Sequence, residues 1–288
     1  MNHARRIQVV AHRGSSEDAP EHTLAAYRKA IDDGADALEC DVRLTADGHL
    51  VCVHDRRVNR TSNGRGAVSA LELSDLAALD FGSWKHRGAL ESAEAPDWGE
   101  TSVLTLERLL ELVAGAGRPV ELAIETKHPT RWAGRVEERL LRLLDRHGLA
   151  GPSPDPGLAA PDAAPRLLTP TPPPAAAQAL SPVRIMSFSA RSLHRVQQAA
   201  PALPTVYLLQ FLSPWLREGR LPPGVGIAGP SMRIVRRYPR YVARLKEAGH
   251  QVHVWTVDEP SDVELCAELG VDAIITNRPA QVLAQLGR

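Results

Sequence analysis

Residues 37–55 read ALECDVRLTADGHLVCVHD, and they place acidic side chains between apolar ones in a strand-forming run. In a β-strand, side chains at positions i and i+2 lie on the same face. Glu39 and Asp41 are therefore predicted to point the same way, and Cys40 between them the opposite way. Two carboxylates on one face of an otherwise apolar strand indicate a binding or catalytic site there.

A turn divides this stretch at Asp47-Gly48, which lies between two alternating apolar runs and is a strong hairpin signal. A two-residue turn at that point would place Asp41 opposite His54. Two acids and an imidazole would then meet on one hairpin, which is an arrangement for a metal ion beside a proton-transfer group. A solvated hairpin with surface charges is the alternative interpretation.

The composition of the 288-residue chain is that of an ordinary globular protein, with 43% apolar and 24% charged residues. Lys plus Arg and Asp plus Glu both number 34, so the net charge suggests neither a nucleic-acid partner nor an acidic membrane surface. Cys40, Cys52 and Cys266 lack CxxC spacing and are predicted to be free thiols of a reducing compartment. Without a signal peptide or an apolar run of roughly 18 residues, we expect a cytoplasmic protein with no transmembrane segment.

Strand-like apolar runs alternate with helical patterns along the chain. Eight such runs are each followed by a helix, and they begin near residues 7, 37, 120, 183, 205, 225, 252 and 273. Eight βα units at this length predict an α/β protein with a (β/α)8 TIM-type barrel. A doubly wound open sheet is the alternative, but it would carry a glycine-rich phosphate loop after the first strand, where Gly14 stands alone.

Three segments depart from this alternation. The run at 50–54 is predicted to be an antiparallel excursion at the barrel mouth. Residues from about 56 to 102 are predicted to form a small insertion after the second strand, too polar to be a domain of their own. Residues from about 150 to 182 hold ten of the 23 prolines and are predicted to be a disordered surface loop. Motifs on both sides of that loop belong to one site, so residues 1–288 are interpreted as a single domain.

The active sites of such barrels lie at the carboxyl ends of the strands. Three carboxylates, those of Glu39, Asp41 and Glu125, are predicted to converge there, and without a cation they would repel one another. Mg²⁺ or Ca²⁺ would relieve this repulsion because both ions prefer oxygen ligands. A zinc site would normally use histidine or cysteine ligands and is the alternative.

Two histidines and two basic residues stand at the same strand ends. His12 and His54 would form an acid/base pair, and Arg13 and Lys127 would place positive charge beside the metal. A metal, two cations and two histidines suit the cleavage of a phosphodiester. For Lys127, a plain salt bridge to Glu125 is the simpler alternative.

Six motifs follow one another along the chain: HRG (12–14), PEHT (20–23), ECDV (39–42), VHD (53–55), IETK (124–127) and VWTV (254–257). This ordered set resembles the glycerophosphodiester phosphodiesterase family, and the resemblance covers nearly the whole chain outside 150–182. It implies a barrel with one divalent metal ion, Mg²⁺ or Ca²⁺. His22 departs from the pattern, since the family usually has Asn there, and this puts the hydrogen bonding around Glu21 in doubt.

Carried over by motif, the resemblance implies roles for nine residues. The metal ligands would be Glu39, Asp41 and Glu125, the catalytic acid/base pair His12 and His54, the phosphate-binding residues Arg13 and Lys127, the near-metal residue Glu21 and the substrate-pocket residue Trp255.

The activity implied is metal-dependent hydrolysis of glycerophosphodiesters to glycerol 3-phosphate and an alcohol, by acid/base catalysis with the two histidines. Our working hypothesis is that His12 is the base and His54 the acid. A lysophospholipase D-type activity on lysophospholipids is an alternative, because only the rim facing the alcohol need differ. A catalytically inactive binding barrel is a further alternative, and it would be expected to lack ligands or histidines. The sequence leaves open the alcohol group, the metal, the order of the histidines and the oligomeric state.

Arg233, Arg236 and Arg237 lie together at a predicted helix start. Such a cluster is usually a solvated face. An anionic headgroup is the other partner that it could meet.

Overall fold

The structure is a computed structural model, and it describes residues 6–86, 98–132, 134–150 and 181–288. Eight parallel strands form a closed barrel, because the first strand pairs with both the second and the last. Helices follow the strands and cover the outside of the barrel. The predicted (β/α)8 barrel is confirmed.

The parallel strands are β1 (Gln8–His12), β2 (Ala37–Leu44), β4 (Glu121–Thr126), β5 (Val183–Ser187), β6 (Thr205–Leu209), β7 (Ile227–Pro230), β8 (Gln251–Val254) and β9 (Ala273–Thr276), and the antiparallel strand is β3 (Leu50–Cys52). The helices are α1 (Leu24–Asp32), α2 (Leu73–Ala77), α3 (Trp98–Thr101), α4 (Leu106–Ala114), α5 (Arg135–Arg146), α6 (Ala190–Ala199), α7 (Pro214–Arg217), α8 (Met232–Arg237), α9 (Arg240–Glu247), α10 (Pro260–Glu268) and α11 (Pro279–Gln285).

Two separate apolar layers hold the barrel together. The larger layer lies between strands and helices, and it includes Leu38, Cys40 and Val42 of β2. The smaller one fills the barrel interior with short or branched side chains such as Ala37. Because side chains alternate along β2, the residues that follow Ala37 on the inner face are the acidic ones. The predicted separation of Cys40 from its acidic neighbours is confirmed.

The β2–β3 hairpin has a register different from the predicted one. Val42 pairs with Cys52, and the backbone amide of Val53 donates to the carbonyl of Asp41 at 3.0 Å. The prediction that His54 lies directly opposite Asp41 was therefore wrong by one residue. The predicted antiparallel excursion at the barrel mouth is confirmed.

The hairpin turn explains the difference in register. The amide of Thr45 donates to the carbonyl of His49 at 2.9 Å, so the loop between them holds three residues instead of two. Gly48, the last of the three, has φ 91°, which is the position where a three-residue loop needs glycine. A two-residue turn of the type expected would need positive φ at both central residues.

The insertion between β3 and α4 contains short helices and a small apolar cluster of its own, which includes Val58, Leu76 and Phe81. It packs on the barrel through Val51 and Val53 of the hairpin. The predicted loop at about 150–182 lies almost entirely outside the described residues, so its disorder stays a prediction. In the described ranges, no helix combines the length and the apolar character needed to cross a bilayer.

The region around β7 differs from the sequence-based expectation of a strand that begins near residue 225 and is followed by one helix. Val225 still belongs to a turn, since its amide donates to the carbonyl of Pro222, and the strand begins two residues later. Two helices follow, α8 and α9. Tyr238 leaves the helical conformation between them, and Pro239 has no amide hydrogen to continue the first helix.

Candidate active site

The three predicted metal-binding carboxylates lie together at the carboxyl ends of β2 and β4. Asp41 and Glu125 are neighbours in the register of these two strands, and Glu39 is one inward position below Asp41. All three side chains are buried. One oxygen from each lies within 4.8 Å of the others. The sequence-based prediction that they converge is confirmed.

Two cationic side chains lie against this group. Lys127 Nζ is 3.1 Å from Asp41 Oδ1 and 2.8 Å from Glu125 Oε1. Arg13 Nε is 3.1 Å from Asp41 Oδ2, and the Arg13 amide donates to Glu39 Oε2 at 3.1 Å. The salt bridge between Lys127 and Glu125 therefore exists. Asp41 is the centre of the charge cluster because both cations contact it.

The three carboxylates differ in how readily they ionise. Burial raises the pKa of Glu39 well above its usual range, and burial with the neighbouring Asp41 raises the pKa of Glu125 to about 8, against the opposing effect of Lys127. Burial also disfavours the charge on Asp41, but Lys127 and a hydrogen bond from His22 hold its pKa well below the usual value. The two cations therefore stabilise the ionised form of only one of the three carboxylates, that of Asp41.

A divalent ion fits this set of oxygen donors. One ion can bridge ligand oxygens separated by up to twice the metal–oxygen distance, which is about 4.8 Å for Ca²⁺ at about 2.4 Å. Within the part of the chain that the structure describes, the cluster able to hold an ion contains no histidine or cysteine. This composition favours a hard ion over the zinc alternative.

The turn after β1 brings Arg13 to the carboxylates. Arg13 has φ 59° and Gly14 has φ 85°, both in the left-handed region. A Cβ atom at Gly14 would lie 2.6 Å from the backbone carbon of Ala26 in α1. Only glycine fits this close approach, which explains the third residue of the HRG motif.

His12 lies at the carboxyl end of β1, and a series of hydrogen bonds between side chains holds its ring. Its Nδ1 is 2.8 Å from Asn277 Oδ1, and Asn277 Nδ2 donates to Asp258 Oδ2 at 2.7 Å. The amide orientation of Asn277 is fixed by that carboxylate, so His12 Nδ1 must carry the hydrogen and Nε2 is left as the acceptor. Nε2 lies 4.0 Å from Glu39 Oε2. Burial, with a further effect of Arg13, lowers the pKa of His12 to about 3.

His54 follows β3 and faces the same mouth, half-buried. Its Nδ1 is 2.7 Å from Asp55 Oδ1, and Arg60 Nε donates to Asp55 Oδ2 at 2.7 Å. Nε2 is therefore the ring nitrogen of His54 that is left for proton transfer. Burial lowers the pKa of His54, whereas Asp41 and the hydrogen bond to Asp55 raise it. Both histidines therefore have Nδ1 fixed by an acceptor, although they come from unrelated parts of the chain.

Glu21 is held by two arginines. Arg60 donates from both terminal nitrogens to the two carboxylate oxygens at 2.8 and 2.7 Å, and Arg13 Nη1 donates to Oε1 at 3.0 Å. Although burial opposes ionisation, the Arg60 hydrogen bonds lower the pKa of Glu21 to about 2. Glu21 is not part of the three-carboxylate cluster, and its role near a metal stays a prediction.

His22, the residue that departs from the family pattern, contacts Asp41 instead of Glu21. Its Nε2 is 2.9 Å from Asp41 Oδ2 and its Nδ1 is 2.8 Å from the Tyr27 hydroxyl. The side chain is buried and its φ is 61°. The departure therefore bears on the orientation of a predicted metal ligand, and the hydrogen bonding of Glu21 is complete without it.

Trp255 stands just beyond β8 and packs on the apolar barrel interior. Its indole nitrogen donates to the carbonyl of Gly229 at 2.6 Å, which fixes the ring. Phe188, 39% exposed, meets it edge to face with ring centres 5.4 Å apart. Together they give the rim an apolar side.

Four side chains that orient the site had no role in the sequence-based prediction: Asp55, Arg60, Asp258 and Asn277. Asn277 directly follows β9, and its strand-end position indicates from the sequence that it lies near the site without giving its role. Arg60 belongs to the insertion, where no periodic pattern indicated its direction.

Comparison with known proteins agrees with this site. Residues 12–149 and 175–281 match the model of the glycerophosphoryl diester phosphodiesterase family. The chain is 43% identical over 278 residues to the "Probable glycerophosphodiester phosphodiesterase 1" of Mycobacterium tuberculosis, with 96% of this chain and 92% of that protein covered. It is 34% identical to the glycerophosphodiester phosphodiesterase of Bacillus subtilis over 95% of this chain and 84% of that protein.

Solved structures share the fold. A phosphodiesterase of Oleispira antarctica, in complex with the product sn-glycerol-3-phosphate, superposes with a TM-score of 0.75. The match covers 98% of this chain and 97% of that one at 24% sequence identity. At this identity the likeness bears on the fold alone.

The barrel, the acidic and imidazole side chains at its mouth and the relatives define an enzyme of the phosphoric diester hydrolase class. The chain belongs to the glycerophosphoryl diester phosphodiesterase family. The resemblance seen in the motifs is confirmed. All three carboxylates and both histidines are present, so the inactive binding barrel has no support in the residues.

Proposed function

We propose that this enzyme hydrolyses glycerophosphodiesters to glycerol 3-phosphate and an alcohol, with a divalent metal ion and two histidines. The observation that carries the proposal is the buried group of three carboxylates with two cations and two oriented imidazoles beside it. Names of the relatives support the substrate class.

Glu39, Asp41 and Glu125 would hold the ion. When bound, Mg²⁺ or Ca²⁺ supplies positive charge that stabilises the charge developing on the phosphate oxygens. Arg13 and Lys127 lie on the same carboxylates, so their charges are positioned to bind a phosphate in the mouth.

The hydrogen bonds support different roles for the two histidines. His12 is neutral over the working pH range, because its pKa is lowered to about 3, and its Nε2 is an acceptor that can remove a proton from the attacking hydroxyl. The attacking group is the glycerol hydroxyl beside the ester or a water molecule. His54 is closer to solvent, and burial lowers its pKa while Asp41 and the contact with Asp55 oppose that lowering. We assign it the donation of a proton to the leaving alcohol because its Nδ1 is held by Asp55 and its Nε2 is left for proton transfer.

The direct test is the release of glycerol 3-phosphate from glycerophosphocholine by the purified chain. We expect turnover with Mg²⁺ or Ca²⁺, loss on chelation, and recovery when either ion is restored. Turnover that persists after complete removal of divalent ions would overturn the metal dependence, and absence of turnover with every glycerophosphodiester offered would overturn the substrate class.

A lysophospholipase D-type activity is the second candidate, and the apolar rim formed by Phe188 and Trp255 favours it. An exposed aromatic ring at the mouth could contact an acyl chain. Parallel assays of lysophosphatidylcholine and glycerophosphocholine distinguish the two activities. A Phe188→Ser variant should then lose activity on the lysophospholipid selectively.

Metal binding is expected to release protons. Since the pKa of Glu125 is raised to about 8 and that of Glu39 is also raised, a proton occupies this site at pH 7 and the ion must displace it. Affinity should rise with pH up to at least about pH 8, by up to about tenfold per pH unit for each proton displaced. Calorimetry in two buffers of different ionisation enthalpy measures the protons released. Zero release at pH 7 would contradict the expectation.

Asp55→Asn is expected to lower kcat about 10- to 100-fold with little change in KM, because Asp55 orients His54 without touching the predicted metal ligands. Removing the negative charge also lowers the pKa of His54. The alkaline limb of the pH–rate profile should therefore move to lower pH. Asp18→Asn, a change at an exposed carboxylate, is the matched control. An unchanged profile would show that Asp55 does not position the histidine.

A further inference from the structure

Five arginines gather on one sector of the barrel even though the chain as a whole has no net charge. They lie on or beside α7, α8 and α9, and all are exposed: Arg217, Arg233, Arg237, Arg240 and Arg244. Within the described ranges, none has a carboxylate within 4.0 Å, whereas the neighbouring Arg220 and Arg236 pair with Glu218 and Asp262. The sector therefore carries uncompensated positive charge.

A cavity of about 460 Å³ opens between these helices. We call it the arginine cavity, and its polar lining residues are Arg217, Arg237, Tyr238, Arg240, Tyr241 and Arg244. A second cavity of about 350 Å³ shares three of these residues and adds Arg233 and Phe211. Among the described residues, neither cavity is lined by an acidic side chain. Four guanidinium groups around one hollow suit a phosphate group, which guanidinium binds through paired hydrogen bonds.

Exposed aromatic side chains flank the arginine cavity. Phe211 is 74% exposed, Trp215 45% and Tyr238 39%. In the described residues these are three of the four large apolar side chains that are exposed, and the fourth, Phe188, belongs to the neighbouring β5 end of the same rim. Arg217 and Arg237 lie over the Tyr238 ring at 5.4 and 6.0 Å from its centre. Aromatic side chains beside basic ones are typical of the interface between a bilayer and water.

We propose that the arginine cavity binds the phosphate of an anionic phospholipid and docks the enzyme on a lipid surface, with Phe211 and Trp215 entering the headgroup region. A soluble anion would use the guanidinium groups alone, and it would gain nothing from aromatic side chains held in water. The bilayer accounts for both features. The site is separate from the three carboxylates, so the proposal does not depend on the metal or on the order of the histidines.

The test is co-sedimentation of the full chain with phosphatidylcholine vesicles that contain or lack phosphatidylglycerol. We expect binding only with phosphatidylglycerol, weakened by salt because the attraction is electrostatic. The Arg237→Glu/Arg240→Glu double variant should bind these vesicles at least about tenfold more weakly. The Phe211→Ser/Trp215→Ser double variant, whose net charge is unchanged, should bind the same vesicles several-fold more weakly.

Arg108→Glu/Arg139→Glu is the matched control, since both residues are exposed, lie on α4 and α5 and have no ion pair among the described residues. Thermal unfolding checks that every variant folds, and turnover of soluble glycerophosphocholine should be unchanged. Equal loss in this control would reduce the effect to overall charge and overturn the proposal. The proposal would also be overturned if the wild type bound inorganic phosphate but not the vesicles, and the Arg237→Glu/Arg240→Glu variant lost that phosphate binding. Full retention by the aromatic variant would exclude insertion into a bilayer.

Discussion

Replacing His12 with alanine is expected to lower kcat for glycerophosphocholine by about 10²- to 10⁴-fold, with a much smaller effect on KM. The variant loses the acceptor nitrogen, while the three carboxylates and their cations keep their contacts. The measurement is release of glycerol 3-phosphate at saturating metal and substrate, together with calorimetric metal titration.

Two comparisons make the His12 result interpretable. His194→Ala removes an exposed imidazole on α6 and should leave turnover unchanged. His12→Ala should still bind the divalent ion, because His12 Nε2 is 4.0 Å from Glu39 and is not one of the clustered ligands. Turnover close to that of the wild type would remove His12 from the mechanism. Loss of metal binding in step with activity would instead assign it to the metal site.

Asp41→Asn is expected to abolish detectable metal binding and to reduce turnover on the order of 10³-fold or more. The carboxylate is contacted by Lys127, Arg13 and His22, so its loss leaves two cations without their main partner at the place where the ion would bind. The amide has nearly the same volume, so packing changes little. Calorimetry with Mg²⁺ and Ca²⁺ measures the affinity.

Asp18→Asn, on the surface, is the control for this charge change as well. The ionised form of Asp41 is favoured in the folded protein, so its contribution to stability is present above its ordinary pKa and is lost as the pH falls through the lowered value. The variant should therefore unfold at a lower temperature than the wild type in the absence of metal. Metal affinity equal to that of the wild type would show that the ion binds elsewhere.

Much of this site could be predicted because its residues stand at positions that the barrel topology dictates. Alternation in β2 separates Glu39 and Asp41 from Cys40, and the carboxyl end of β4 carries Glu125 to the same level. The hairpin register could not be predicted from Asp47-Gly48, because a two-residue and a three-residue loop use the same glycine signal and differ by one residue in pairing.

Contacts between distant segments account for what the sequence did not reveal. Arg60 reaches Glu21 and Asp55 from the insertion, and no local pattern gives the direction of that side chain. The contact of His22 with Asp41 depends on a left-handed backbone conformation that is uncommon for residues other than glycine. Such details follow from tertiary packing and not from propensity.

The alternation of β2 also constrains how the gene can change. Adding or deleting one codon inside the strand would exchange its two faces, sending acids among the helices and a thiol into the mouth. The segment after β3 has no such two-residue alternation to preserve, so it can lengthen or shorten while the strand stays unchanged. Variation in which alcohols are accepted would therefore accumulate in loops, while the strand that bears Glu39 and Asp41 keeps a fixed length.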